Sequence, residues 1–139
     1  MDSKENKSGI NFESLYGITE QWASDLLFYN DELRFLNHIL DRYFSDMVAL
    51  ENLDEIREST IRLQDLRNDC DKISEDIKIH FGELTKCIDH PELAPKSIQG
   101  NHDRLGKEYL EFVEKSKRIK REFFTITEHV LAAKKEKSN

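Results

Sequence analysis

Little in this chain interrupts a helix. Its 139 residues include two prolines and five glycines, so long stretches lack the two residues that break helices. Cysteine is as scarce. Cys70 and Cys87 lie 17 positions apart in one expected helix, a separation of about 25 Å. A disulfide needs Cα atoms within about 7 Å, so both thiols are expected to stay reduced, as in a cytoplasmic protein. No run of about 18 apolar residues occurs, which excludes a transmembrane helix. The opening stretch MDSKENKSGINFES has no apolar core and does not read as a signal peptide. These absences together predict a cytoplasmic chain.

Chemical motifs are missing too. Gly100 and Gly106 lack the Lys-Ser/Thr that follows a phosphate-binding loop. No histidine follows Glu-x-x, and neither His-x-x-x-His nor Cys-x-x-Cys occurs, so the spacings of di-iron bundles and common zinc sites are absent. No residue set supports hydrolysis or group transfer. The chain is expected to be non-enzymatic, with no cofactor and no identifiable small-molecule ligand.

What is present is charge and period. Charged residues make up 35% of the chain and apolar ones 37%, with a mean hydropathy of −0.71, the profile of long helices with solvated outer faces. The net charge of −7 and pI near 5.3 disfavour a nucleic-acid partner through bulk charge.

From Trp22 the apolar residues Leu26, Tyr29, Leu33, Leu36, Leu40, Tyr43, Met47 and Leu50 follow in alternating steps of four and three. That is the buried seam of an amphipathic helix. Its start is predicted at Thr19, an N-cap residue type preceded by the helix-breaking Gly17. Residues 1–16 then read as a flexible polar tail, whose Phe12, Leu15 and Tyr16 could dock onto the helices.

The period slips near residue 51, where Asn52 and Glu55 resemble a capping box. We read a tight turn there, with one continuous helix across it as the alternative. A second seam runs from Ile56 through Leu63, Leu66, Cys70, Ile73 and Ile77 to His80 or Phe81, Leu84, and Cys87 or Ile88. Pro91 and Pro95 force a connection over 89–97. The third seam runs from Ile98 through His102, Leu105, Tyr109, Phe112, Ser116, Ile119, Phe123, Ile126, Val130 and Ala133. The expected fold is all-α: an antiparallel up-down-up three-helix bundle in one domain over 17–135. Its helices span 19–50, 53–88 and 98–135, about 50 Å each, and a frayed C-terminus covers 136–139.

The segment Trp22-Ala23-Ser24-Asp25-Leu26-Leu27-Phe28-Tyr29-Asn30-Asp31-Glu32-Leu33 resembles a W-x-x-[ED]-L-x-F-Y-x-D-E-[IL] helix opening shared by a group of small uncharacterised bacterial all-helical proteins. The resemblance covers about twelve residues and implies a helical bundle. It implies no activity.

Three sets of residues stand out. Phe28, Phe35 and Ile39 on the first helix, with Phe124 and Leu131 on the third, fall off the seams. Buried beneath the tail or between helices they would be core; left exposed, they would form an association face larger than monomers usually show, for a homo-oligomer or another protein. Next, His80 and His102 occupy seam positions, and folding the chain at both turns brings them near Trp22, Asp25, Cys87 and Tyr109. With Cys87 they offer metal-ligand types; their plainer role is a buried hydrogen-bonded pair that fixes helix register.

The third set is Lys115, Lys117, Arg118, Lys120 and Arg121, five cations in seven positions. A nucleic-acid-touching regulator would use such a run. The folding arithmetic instead sets it beside Asp65, Asp69 and Asp71, within reach of Asp31 and Glu32, so internal pairing is the expectation.

Overall fold

The computed structural model describes residues 9–138, with side chains to Glu136. Three long helices pack against one another as a three-helix bundle: α1 (Phe12–Leu50), α2 (Leu53–Asp89) and α3 (Ile98–Ser138). No strand occurs among the described residues. The packing falls into two compact units, and every helix contributes to both. One unit comprises residues through Leu27 with Asp71–Glu111; the other comprises Phe28–Cys70 with residues from Phe112 onward.

The first helix begins seven residues before the expected Thr19. Asn11 caps it, its Oδ1 accepting the Ser14 amide at 3.0 Å, which satisfies one of the orphan donors of the first turn. Thr19 is fully buried inside the helix, and its hydroxyl donates to the Leu15 carbonyl at 2.7 Å. Phe12, Leu15 and Thr19 extend the step pattern backwards to Trp22, so the seam starts at Phe12. Gly17 does not break it, and stands with open space around its Cα. Residues 12–16 of the expected tail belong to α1, and its first eight residues lie outside the described ones, as does residue 139 of the end expected to fray, whose residues 136–138 are helical. Phe12 packs with Leu84, Cys87 and Ile98, and Tyr16 meets Phe81 edge-on at 5.1 Å.

The chain does turn at residues 51 and 52, so α1 and α2 are not continuous. Asn52 Oδ1 accepts the Asp54 amide at 2.8 Å, a side-chain cap on the new helix. A 3-10 turn over Pro91–Leu93 fills the second connection. α3 starts where the Ser97 carbonyl accepts the Asn101 amide at 2.9 Å. α2 closes at Asp89 and α3 runs to Ser138, beyond the expected 88 and 135.

The seams are the core. Leu26, Leu33, Leu36, Leu40 and Met47 of α1 are buried, as is the α2 seam from Ile56 to Cys87, where His80 and Cys87, not Phe81 and Ile88, take the two open positions. Ser59 fills the one gap in that seam and is also buried. Its hydroxyl donates to Glu122, which also pairs with Arg62. Leu50, at the end of α1, is left exposed. Of the expected α3 seam, Ile126 and Ala133 are only half-buried. Ion pairs Lys120–Glu32 and Lys134–Asp46 both join α3 to α1 at an offset of 88 positions. A constant offset means that α1 and α3 run parallel in that unit, with α2 opposed.

Candidate functional site

The unit containing residues 71–111 holds a polar chain inside its core. His80 is brought in by α2, His102 and Tyr109 by α3, and Trp22 and Asp25 by α1. His80 Nε2 lies 2.9 Å from His102 Nδ1. The Trp22 ring stacks on His102 at 4.8 Å and on Tyr109 at 5.8 Å. Tyr109 Oη donates to Asp25 Oδ2 at 2.8 Å, and Gln21 Nε2 donates to Asp25 Oδ1 at 2.8 Å. Gly106 lies beneath the indole: a Cβ there would sit 2.9 Å from Trp22 Cζ2.

Both histidines are buried. Burial and the neighbouring His102 lower the His80 pKa to about 4, and burial lowers that of His102 against the opposing pull of Asp103. One ring must present N–H and the other a lone pair for a contact this short. The sequence brought His80, His102, Trp22, Tyr109 and Asp25 to one neighbourhood, and the structure joins them.

Cys87 does not complete a ligand set with the histidines. It packs with Phe12, Leu84 and Ile98, and burial, with the Glu83 carboxylate, raises its thiol pKa. A low-polarity thiol of this kind is a poor nucleophile and a poor ligand. No group of three or more potential metal ligands occurs among the described residues. The direct nitrogen–nitrogen contact is a hydrogen bond, not two ligands spaced around an ion. Indole stacking separates that bond from Tyr109–Asp25, so no proton relay links the two ends. The arrangement locks the rings and helices in register.

The other unit carries the cationic run and the off-seam aromatics. Lys120 pairs with Glu32 at 2.5 Å, as expected for the first-helix carboxylates. The expected pairing with Asp65, Asp69 and Asp71 is not made: among the described residues those three form no ion pair. Lys115 and Arg118 instead face Asp65 and Asp69 across an open groove of about 420 Å³ floored by Leu66 and Ile119. The carboxylate that does bind across to α2 is Glu122, through Ser59 and Arg62. Glu122 directly follows the basic run, so counting cations alone hid it. Lys117 lies 4.0 Å from Glu114, and Arg121 Nε donates to the Lys117 carbonyl at 3.4 Å. Carboxylates thus stand opposite much of the run that a nucleic-acid surface would need free.

Phe28 (60% exposed), Phe35 (56%), Leu131 (50%) and Phe124 (39%) do stand out from this unit, and Ile39 is half-buried beside them. The Lys120 ammonium, held by Glu32, also lies 5.9 Å from the Phe124 ring centroid. That bridge ties the α1 and α3 stripes into one face. No helix of the described residues is long and apolar enough to cross a membrane. No family model matches the chain, and comparison with the curated proteins and with solved structures returned no match.

Proposed function

We propose that this protein is a non-enzymatic interaction or scaffold module that self-associates through the face formed by Phe28, Phe35, Ile39, Phe124 and Leu131. One observation carries the reading: three phenylalanines and a leucine, each between 39% and 60% exposed, crowd onto two adjacent helices of one unit. Large aromatics exposed together mark association surfaces and supply most of the energy when a partner covers them. The polar core of the other unit supports the same conclusion from the opposite side, because every group in it is already engaged by another. The partner class is a protein presenting an apolar helical face, with a second copy of this chain as the first candidate. No nucleic acid or lipid is invoked.

Light scattering at micromolar concentration tests this. The expected mass is that of a dimer, falling to the monomer when Phe28 and Phe35 are both replaced by serine while helix content stays constant. A wild-type chain that remains monomeric throughout that range removes self-association from the reading.

A further inference from the structure

The order of groups along the exposed face is self-complementary in one direction. Because α3 runs parallel to α1 at the offset set by Lys120–Glu32 and Lys134–Asp46, Phe124 stands level with Leu36 and Leu131 stands level with Tyr43. Consider a two-fold axis laid across both helices midway between Phe35 and Leu36. It carries Phe28 of one copy to the height of the other's Leu131. It carries Phe35 to the height of Phe124. Each of these four groups thereby stands level with another of them along the dimer.

The charges on the rims follow the same operation. Asp31 and Arg42 are both exposed and stand three turns apart on the outer edge of α1. Lys117 and Glu128 are exposed and stand three turns apart on the outer edge of α3. An axis across the helices sets α1 against α1 and α3 against α3, each reversed. Asp31 of one copy then comes within about 3 Å along the axis of the other's Arg42, and Lys117 equally close to Glu128. Four oppositely charged pairs, related two by two, surround the apolar centre.

We propose that this unit pairs with a second copy of itself in antiparallel register, Phe28 level with Leu131 and Phe35 level with Phe124, with Asp31–Arg42 and Lys117–Glu128 pairing along its rims. The proposal rests on the self-association reading above and adds its direction and the residues involved. Parallel pairing would set α1 against α3, so Asp31 would meet Lys117 and Arg42 would meet Glu128, pairs that are also opposite in sign, and the apolar groups rather than the charges separate the two registers. Phe28 would then lie level with the buried Ser116, with no apolar group opposite.

Charge reversal separates the two. Asp31→Arg sets two like-charge contacts into the antiparallel dimer and should weaken it about tenfold at low salt. Adding Arg42→Asp rebuilds both pairs with their signs exchanged and should restore the wild-type dissociation constant. In a parallel dimer the double variant meets Lys117 and Glu128 with the wrong signs and binds more weakly still. Sedimentation equilibrium of the wild type and the two variants reads all of this. Restoration by the second substitution supports the proposal. A dimer that the double variant weakens further, or that Asp31→Arg leaves unchanged, overturns the antiparallel register and leaves self-association standing. A monomeric wild type overturns both.

Discussion

Trp22 lies between His102 and Tyr109, and Gly106 leaves it room. A methyl group at Gly106 would stand 2.9 Å from one ring carbon and 3.0 Å from another. The indole cannot swing aside cheaply, because a ring is stacked on each side of it. Overpacking of this kind costs about 1–3 kcal/mol, while alanine gains at most about 1 kcal/mol over glycine in helix propensity. Gly106→Ala is therefore expected to destabilise the protein by about 1 kcal/mol, the reverse of the usual helical outcome. Chemical denaturation followed by the fluorescence of this sole tryptophan measures it, and a stabilised variant would show that the ring has somewhere to go.

His80 gives the second expectation at this scale. Its folded pKa of about 4 lies below the ordinary histidine value of 6.5. Between those values the unfolded chain binds a proton that the folded chain refuses, so stability falls as the pH drops through that window. His102 shifts in the same direction and steepens the loss. His80→Gln keeps a side chain able to donate or accept but removes the titration. The variant should show a shallower fall in melting temperature between pH 6.5 and 4. Identical slopes for variant and wild type would mean that carboxylates, not this pair, set the acid limit.

At the scale of the helix, what could be read in advance was what periodicity controls. The first turn and almost every buried position of α2 follow from steps of three and four, and the second turn follows from Pro91 and Pro95. The start of α1 did not, because two local signals pointed the wrong way. Thr19 is an N-cap residue type and Gly17 a helix breaker, yet the burial of Phe12 against Leu84 and Ile98 outweighs a glycine cost of about 1 kcal/mol. The true cap, Asn11, lay in the stretch read as a tail. Asn11→Ala is accordingly expected to cost about 1 kcal/mol and to raise amide exchange in the first turn. No change would indicate that Phe12 alone anchors the helix.

The candidate site was legible in part for the same reason. Seam histidines and an indole at matching heights could be placed together from the chain alone. Glu32, within reach of the run in that reading, does pair with Lys120, but the link from α3 to α2 through Glu122 and Arg62, in place of cations meeting Asp65 or Asp69, could not be read. Ion-pair partners depend on where long side chains reach, a matter of helix rotation that a period of 3.6 does not resolve.

The two units carry different acid sensitivities because their polar groups differ. The unit containing residues 71–111 encloses both seam histidines, whose pKa values are lowered by burial. The other is held by Lys120–Glu32, Arg62–Glu122 and Lys134–Asp46 around an aliphatic and aromatic core. Hydrogen exchange at pH 7 and pH 5, corrected for intrinsic rates, should show protection lost first in 71–111 and in α1 up to Leu27. Segments 28–70 and 112–136 should keep theirs. Cooperative units that open at different free energies behave in this way, each helix losing protection along part of its length only. Uniform loss of protection along all three helices would instead mean that the chain opens as a single unit and that the histidine pair destabilises all of it at once.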